Sequence, residues 1–178
     1  MELSDTELIA RVMADDDRHA FAQLVKRHQS MLRGFLRRVT DDAFLADDLA
    51  QEAFVKAYKN LGKFGGESTF STWLLGIGYN CYRQWRRRKR EVEMPENMPE
   101  AVDENSNVDS RGTEADVRAA IAKLGADQRV VLELCYGQGL SHDEAARVIG
   151  CPLGTLKTNI LRAREKLKVF LEAYSANA

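Results

Sequence analysis

Leu140-Ser141-His142-Asp143-Glu144-Ala145-Ala146-Arg147-Val148-Ile149-Gly150-Cys151-Pro152-Leu153-Gly154-Thr155-Leu156-Lys157 spells two helices and the turn between them. Ser141, with Glu144 three residues on, forms a capping box that starts the first helix. Ala145, Val148 and Ile149 give that helix its packing face, and Gly150-Cys151-Pro152 ends it. A second helix begins near Gly154–Thr155 and runs through Leu156, Ile160, Leu161, Leu167 and Phe170 toward Tyr174. This is the layout of a helix-turn-helix. Leu156, Ile160 and Leu161 are its expected inward stripe, which leaves Thr155, Lys157, Thr158 and Asn159 on the early outer face. Arg162, Arg164, Lys166 and Lys168 continue the positive charge. Such a helix end suits a major groove: its free backbone N–H groups favour phosphate, and its short polar side chains leave room for base edges. A helical hairpin that never meets DNA has the same spacing, with Arg162 or Arg164 paired to Asp143, Glu144 or Glu133 and Thr155 serving as an N-cap. Spacing alone leaves both readings open.

Outward from this stretch the pattern stays helical. Asp116–Leu124 and Asp127–Tyr136, separated by Gly125, are two further helices of the same lobe. Upstream, residues 91–112 carry seven acidic side chains and one basic, with Pro95, Pro99 and several Asn and Ser residues but no sustained apolar period. This segment reads as a linker. Before it, Ser4–Met13 offers a Ser cap with Glu7 three residues on, then Leu8, Ile9 and Val12 on one side. Phe21, Leu24, Val25, His28, Leu32, Phe35, Leu36 and Val39 trace a second helix. Phe44, Leu45, Leu49, Ala53, Phe54, Ala57 and Tyr58 trace a third, broken by Gly62, Gly65 and Gly66. A fourth starts after Ser68 or Thr69, with Phe70, Trp73, Leu74, Ile77, Cys81 and Trp85 as its buried face. Gly76 and Gly78 within it permit a close helix crossing or mark a weak point. The expected fold is therefore all-α: two small helical domains, residues 1–90 and 113–178, joined by an acidic flexible linker over 91–112, the second containing the helix-turn-helix.

The net charge of -1 over 178 residues conceals a strong asymmetry. Arg83-Gln84-Trp85-Arg86-Arg87-Arg88-Lys89-Arg90 holds six basic residues in eight. Tyr79, Arg83, Arg86 and Arg90 recur at helical spacing, so an aromatic ring and three cations can share a face. Arginines there would neutralise phosphates, and exposed rings would stack on unpaired bases. The preceding loop Lys63-Phe64-Gly65-Gly66-Glu67-Ser68-Thr69 is polar, with two central glycines, and could fold around an extruded base. The alternative is a solvated helix end with Trp73, Phe70 and Tyr82 in the core. A contrasting surface lies at the start of the third helix, where Asp41, Asp42, Asp47, Asp48 and Glu52 cluster beside Gln51. These carboxylates either serve the helix dipole or form a negative docking strip for a basic protein helix.

Other classes fall away. No run of eighteen apolar residues exists, so membrane insertion is not expected, and no apolar stretch with a cleavage site follows Met1. Cys81, Cys135 and Cys151 form no CxxC pair, and their odd number suits a reducing, cytoplasmic setting. His19, His28 and His142 are too scattered for a zinc site. No nucleophile–base pair or phosphate-binding glycine motif supports catalysis, so no enzyme activity, metal or cofactor is expected.

In this order the two lobes resemble bacterial sigma factors of the extracytoplasmic-function (group 4) class of the sigma-70 family. The resemblance rests on Asp47-Asp48-Leu49-Ala50-Gln51-Glu52-Ala53-Phe54-Val55-Lys56-Ala57-Tyr58, then Phe64 and Phe70-x-x-Trp73-Leu74-x-x-Ile77-x-x-Asn80 leading into the basic run. It continues through Leu124–Arg129, Gly139-Leu140-Ser141-x-x-Glu144-Ala145-Ala146, Gly150, Gly154-Thr155-Leu156-Lys157 and Arg162-Ala163-Arg164-Glu165-x-Leu167. It implies an alternative sigma factor that binds core RNA polymerase at the largest-subunit clamp, through Asp47, Asp48, Gln51 and Glu52, and at the flap. Residues 1–90 would bind and melt the −10 element: Lys63, Phe64, Gly65, Gly66, Glu67, Ser68, Thr69 and Asn80 capture a flipped base, while Arg83, Arg86 and Arg87 hold the backbone. Residues 113–178 would read the −35 element through Ser141, Gly154, Thr155, Lys157, Thr158, Asn159, Arg162 and Arg164. The implied partners are promoter DNA and an anti-sigma factor, with no obligate homo-oligomer. Gly76, Gly78 and Tyr79 depart from the family's usual helix formers, and Gln84 stands where relatives are often acidic.

Overall fold

The computed structural model describes residues 3–93 and 120–175, and these form helices joined by short turns. The chain divides into two compact units, with the main boundary at Lys89–Arg90.

In the first unit, aspartates and one serine set the helix ends. Helix α1 (Asp5–Asp15) starts at Ser4, whose hydroxyl accepts from Glu7 N while the Glu7 carboxylate accepts from Ser4 N at 2.7 Å, the expected capping box. These bonds hold the Glu7 carboxyl below its ordinary value of 4.5. Asp16 closes α1 in the left-handed region at φ 51°. Asp17 caps α2 (Arg18–Thr40), accepting from His19 N and Ala20 N at 3.0 Å each. Asp41 ends α2 at φ 57°, and Asp42 caps α3 (Ala43–Lys59) by accepting from Phe44 N and Leu45 N. A single 3-10 turn (Leu61–Lys63) follows, and α4 (Phe70–Glu93) starts after Thr69. Thr69 Oγ1 accepts from Thr72 N at 3.2 Å.

Helix α2 is the spine, packing against both α1 and α3. Leu24, Leu32, Phe35, Leu36 and Val39 are buried on it, as are Leu8 of α1, an alanine-rich stripe of α3 (Ala46, Ala50, Ala53, Ala57) with Leu49, and Leu74, Leu75 and Cys81 of α4. Asp5 ties α1 to α2 through Arg27 at 2.5 Å and His28 at 2.7 Å. The two unusual glycines of α4 differ. A Cβ at Gly78 would lie 2.6 Å from Leu32 Cδ1, so Gly78 is a point of close approach to α2. A Cβ at Gly76 would meet nothing within 4 Å.

Three expectations for this unit are corrected. Phe44 is 87% exposed rather than part of the α3 core, because the face toward α2 is built from small residues. On α4, Trp73, Ile77 and Trp85 are half-buried, whereas Tyr79 and Tyr82 are buried. The buried arc of α4 is wide enough to take in both tyrosines, and the Tyr82 hydroxyl donates to the Val39 carbonyl at 3.2 Å. Helix α4 also runs on through Glu91 and Val92 to Glu93, into the stretch read as linker; residues 94–112 lie outside the described residues.

In the second unit, residues 120–122 are helical and Leu124 closes a turn by donating to Ile121 O at 3.0 Å; the start of the expected Asp116–Leu124 helix lies outside the described residues. Helix α5 (Ala126–Leu132) passes into one wider π turn over Glu133–Gly137, where Gln138 N donates to Glu133 O at 2.8 Å. Helix α6 (His142–Ile149) ends at Gly150, φ 74°, and α7 (Leu153–Ser175) follows after two residues. Glycine is favoured there, because most L side chains adopt this left-handed conformation only under strain. Leu134, Val130, Val131, Ala145, Leu156, Ile160 and Ala163 form the core, with α5 packed on α7. Leu161, expected inward, is 57% exposed. Helix α7 opens at Leu153 with Leu156 N donating to Pro152 O, so Thr155 stands in the first turn and is not its cap.

Candidate functional site

The acidic cluster separates residue by residue. Asp41 and Asp42 are helix caps. Asp47 is held by Arg33 at 3.2 Å and Arg37 at 3.5 Å, which pins α3 to α2. Glu52 accepts from Lys56 at 2.7 Å, and Lys56 also donates to Gln84 Oε1 of α4 at 3.0 Å. The Glu52 carboxylate raises the Lys56 ammonium above its ordinary value of 10.5. Asp48 is exposed and makes no ion pair among the described residues, and Gln51 beside it is exposed too. With Phe44 and with Val55 (53% exposed), these residues repeat at i, i+4, i+7 and i+11 on the side of α3 opposite its buried alanines. The strip expected to dock is thus a mixed face, with one unpaired carboxylate and an amide between two apolar side chains.

The glycine loop is anchored at both ends. Phe64 packs on Phe70 and Trp73 with ring centroids 6.0 and 5.3 Å away, and Phe70 meets His28 at 5.2 Å. At the other end the Thr69 hydroxyl contacts Ser71 and Thr72, at 2.9 Å each, and caps α4. Ser68 is half-buried, and its hydroxyl donates to Thr69 O at 3.4 Å. Lys63, Gly65, Gly66 and Glu67 are exposed, and Gly66 takes φ 74°. Along α4, Asn80, Arg83 and Arg87 are exposed and fall at i, i+3 and i+7, a single face that runs on from the half-buried Trp73. Arg86 is half-buried.

The basic run does not stand apart from the aromatic residues. Arg83 lies over the Tyr79 ring at 5.9 Å, Arg86 over Tyr82 at 5.7 Å and Lys89 over Trp85 at 5.5 Å, three successive i,i+4 pairs. Tyr82 and Trp85 stack at 6.3 Å. Tyr79 and Tyr82 are only 8% and 3% exposed, so they do not offer free faces to bases.

In the second unit, the Ser141 hydroxyl accepts from Glu144 N at 3.3 Å and the Glu144 carboxylate accepts from Ser141 N at 2.9 Å, the expected capping box. Gly154, Thr155, Lys157, Thr158, Arg162 and Arg164 are all exposed on α7, and Asn159 is half-buried. The structure thus brings the expected reading residues onto one helix behind a capped partner. Among the described residues, no cluster of His, Cys, Asp and Glu is placed to hold a metal ion, and no helix is long and apolar enough to cross a membrane.

Comparison with known proteins meets this geometry from another side. Residues 24–91 match the family Sigma-70 region 2, and residues 114–167 match Sigma-70, region 4. The chain is 35% identical to the RNA polymerase sigma-H factor of Pseudomonas aeruginosa across 94% of both chains. It is 33% identical to the ECF RNA polymerase sigma-E factor of Escherichia coli (strain K12) across 93% of both. The chain belongs to the extracytoplasmic-function class of the sigma-70 family.

This sigma factor is also similar to a solved structure, the sigma factor RpoE from Bartonella quintana in complex with the anti-sigma factor NepR. The TM-score is 0.66 at 31% identity, over 85% of this chain and 96% of that one. As a family member it is a non-catalytic component of transcription that binds core RNA polymerase and promoter DNA. Region 2 comprises most of α2 with α3 and α4; region 4 covers α5, α6 and the first part of α7. Three features of the sigma factor escaped sequence reasoning. Phe44 and Val55 flanking the acidic strip were legible only as an i, i+11 pair on one helical face. The aromatic–cation pairs beyond Tyr79–Arg83 were legible in the spacing Tyr82–Arg86 and Trp85–Lys89. The Lys56–Gln84 bond between α3 and α4 had no local signal, since 28 positions separate the two residues.

Proposed function

We propose a division of labour among these surfaces. The α3 face docks on a coiled coil of the largest-subunit clamp, with Asp48 and Gln51 in direct contact and Asp47 and Glu52 flanking them. Region 2 binds and opens the −10 element: the loop from Lys63 to Thr69, with Asn80, takes a flipped non-template base, and Arg83, Arg86 and Arg87 hold the strand's phosphates. The α6–α7 pair reads the −35 element through Gly154, Thr155, Lys157, Thr158, Asn159, Arg162 and Arg164, with Ser141 at the edge of the contact and the flap as second polymerase anchor. The working units are residues 1–90 and 113–178, with 91–112, whose first three residues extend α4, as the tether between them.

The observation that carries this reading is the sorting of the acidic cluster. Of the carboxylates within α3, Asp48 is the one left exposed and without an ion pair among the described residues, beside Gln51 and two exposed apolar side chains, on the face opposite the buried alanines. Each DNA surface is small, so free sigma binds DNA weakly, and holding both on polymerase raises their effective concentration. An anti-sigma factor that covers the α3 face would silence the protein; RpoE of Bartonella quintana, solved with NepR, is the parallel. Run-off transcription with purified core polymerase tests the reading. Promoter-specific initiation that depends on this chain and fails with Asp48→Lys supports it; initiation indifferent to the chain overturns it.

A further inference from the structure

Helix α7 places one apolar side chain where a polar reading face was expected. Leu156, Ile160 and Ala163 are buried. Helical periodicity then puts Gly154, Thr158 and Leu161 on the opposite side, flanked by Lys157 and Arg162. All five are exposed, Leu161 at 57%. A lone exposed leucine on an arbitrary surface carries no message. This one sits on the face that the proposed −35 reader turns toward the major groove, with Lys157 and Arg162, cations suited to phosphates, to either side and the exposed Glu165 one turn further along. The neighbouring Thr158 donates its hydroxyl to the Gly154 carbonyl at 2.9 Å, so it offers a base edge a methyl group and an acceptor but no donor.

The apolar feature of a major groove is the C5-methyl of thymine. We infer that Leu161 is a specificity-determining residue that packs on a thymine methyl of the upstream promoter element, so that this sigma factor selects T·A at one fixed position. A cytosine there would present its N4 amine to a side chain with no acceptor, and a desolvated donor would be left unpaired. The inference rests on the placement of the −35 reader on α7 and adds to it the base and the group recognised.

Holoenzyme assembled from core polymerase and the full chain is used to select duplexes with a randomised upstream element. The unaltered chain enriches thymine at one position, and Leu161→Ala loses enrichment there while keeping it elsewhere. Replacing that thymine by deoxyuridine, which lacks only the methyl, weakens binding by about fourfold for the unaltered chain, the worth of one buried carbon. For Leu161→Ala the same replacement changes binding by less than about 1.5-fold, because the methyl has lost its partner. Lys157→Gln serves as the second arm: it should weaken all sequences alike and lower the salt slope by about one. A uracil penalty of equal size in both proteins, or no enriched thymine at all, overturns the inference. If Lys157→Gln is silent as well, the −35 placement itself fails; if Lys157→Gln weakens binding and Leu161→Ala leaves thymine selection intact, only the role of Leu161 fails.

Discussion

Reversing the charge of Asp48 should separate docking from folding, and its neighbour Asp47 supplies the control. Asp48 is exposed and has no ion pair among the described residues, so Asp48→Lys breaks no internal bond. Surface changes of that kind stay within about 0.5 kcal/mol, a few degrees or less in Tm for a unit of residues 1–89. Asp47 is different. Its side chain is 33% exposed and bonds Arg33 and Arg37 at 3.2 and 3.5 Å. Asp47→Lys removes both pairs, worth up to about 1 kcal/mol in this half-exposed setting, and places a third cation among two. The melt should fall by about 4–8 °C or more. At the polymerase surface the order reverses. A like charge set against a basic helix costs several kcal/mol, so Asp48→Lys should weaken capture of core polymerase by well over tenfold. Thermal melts followed by circular dichroism and titration of labelled chain with core polymerase read the two effects separately. If Asp48→Lys captured polymerase as the unaltered chain does, with an unchanged melt, α3 would not be the docking element.

The remaining predictions test packing and titration. Gly78→Ala forces a Cβ to 2.6 Å from Leu32 Cδ1 and should cost about 1–3 kcal/mol unless Leu32 rotates away; Gly76→Ala meets nothing and should stabilise the fold by up to about 1 kcal/mol. Phe44→Ser removes a ring that is 87% exposed, so denaturant unfolding should be unchanged within error, whereas a core phenylalanine would cost several kcal/mol. Burial raises the Cys81 thiol above its ordinary value of 9.0, the Lys56 ammonium opposing it more weakly. The unfolded chain therefore loses that proton first: the stability contribution is full below 9.0 and declines as pH rises beyond it. Denaturant melts taken through the alkaline range should show this fall, and Cys81→Ala should flatten it while lowering the plateau.

What was legible in the sequence was local. Ser4 with Glu7 and Ser141 with Glu144 announce helix starts through chemistry within four residues, and both capping boxes form. The break at Gly150-Cys151-Pro152 was readable for the same reason. Large apolar side chains misled wherever the partner surface demanded small ones. On α3 the buried stripe is mainly alanine, and Phe44 points away from it; on α7, Leu161 lies opposite Leu156, Ile160 and Ala163. Periodicity fixes an angle along one helix, but only the neighbour decides which angles are covered. The acidic cluster shows the same limit. Five carboxylates looked equivalent, and capping of Asp41 and Asp42, pairing of Asp47 with α2, and the Lys56 bridge at Glu52 distinguish them only in three dimensions.

The aromatic–cation pairs of α4 bear on how region 2 would handle DNA. Cations rest over Tyr79, Tyr82 and Trp85, and the two tyrosines are buried, so this helix is poorly equipped to stack on bases. It is well equipped to hold phosphate. A side chain already ordered on a ring loses less entropy on binding. Base capture then passes to the preceding loop. Phe64 is fixed on Phe70 and Trp73, and the Thr69 hydroxyl is occupied as a helix cap, so both ends of the loop are set. What remains is the exposed apex Gly65-Gly66-Glu67, with Gly66 at φ 74° and no neighbour within 4 Å of a Cβ at either glycine. A rigid frame around a glycine apex suits a pocket that must admit one unstacked base without rebuilding the helices beside it. On the proposed reading the cations of α4 would fix where the strand runs, and the loop would fix which base leaves the stack.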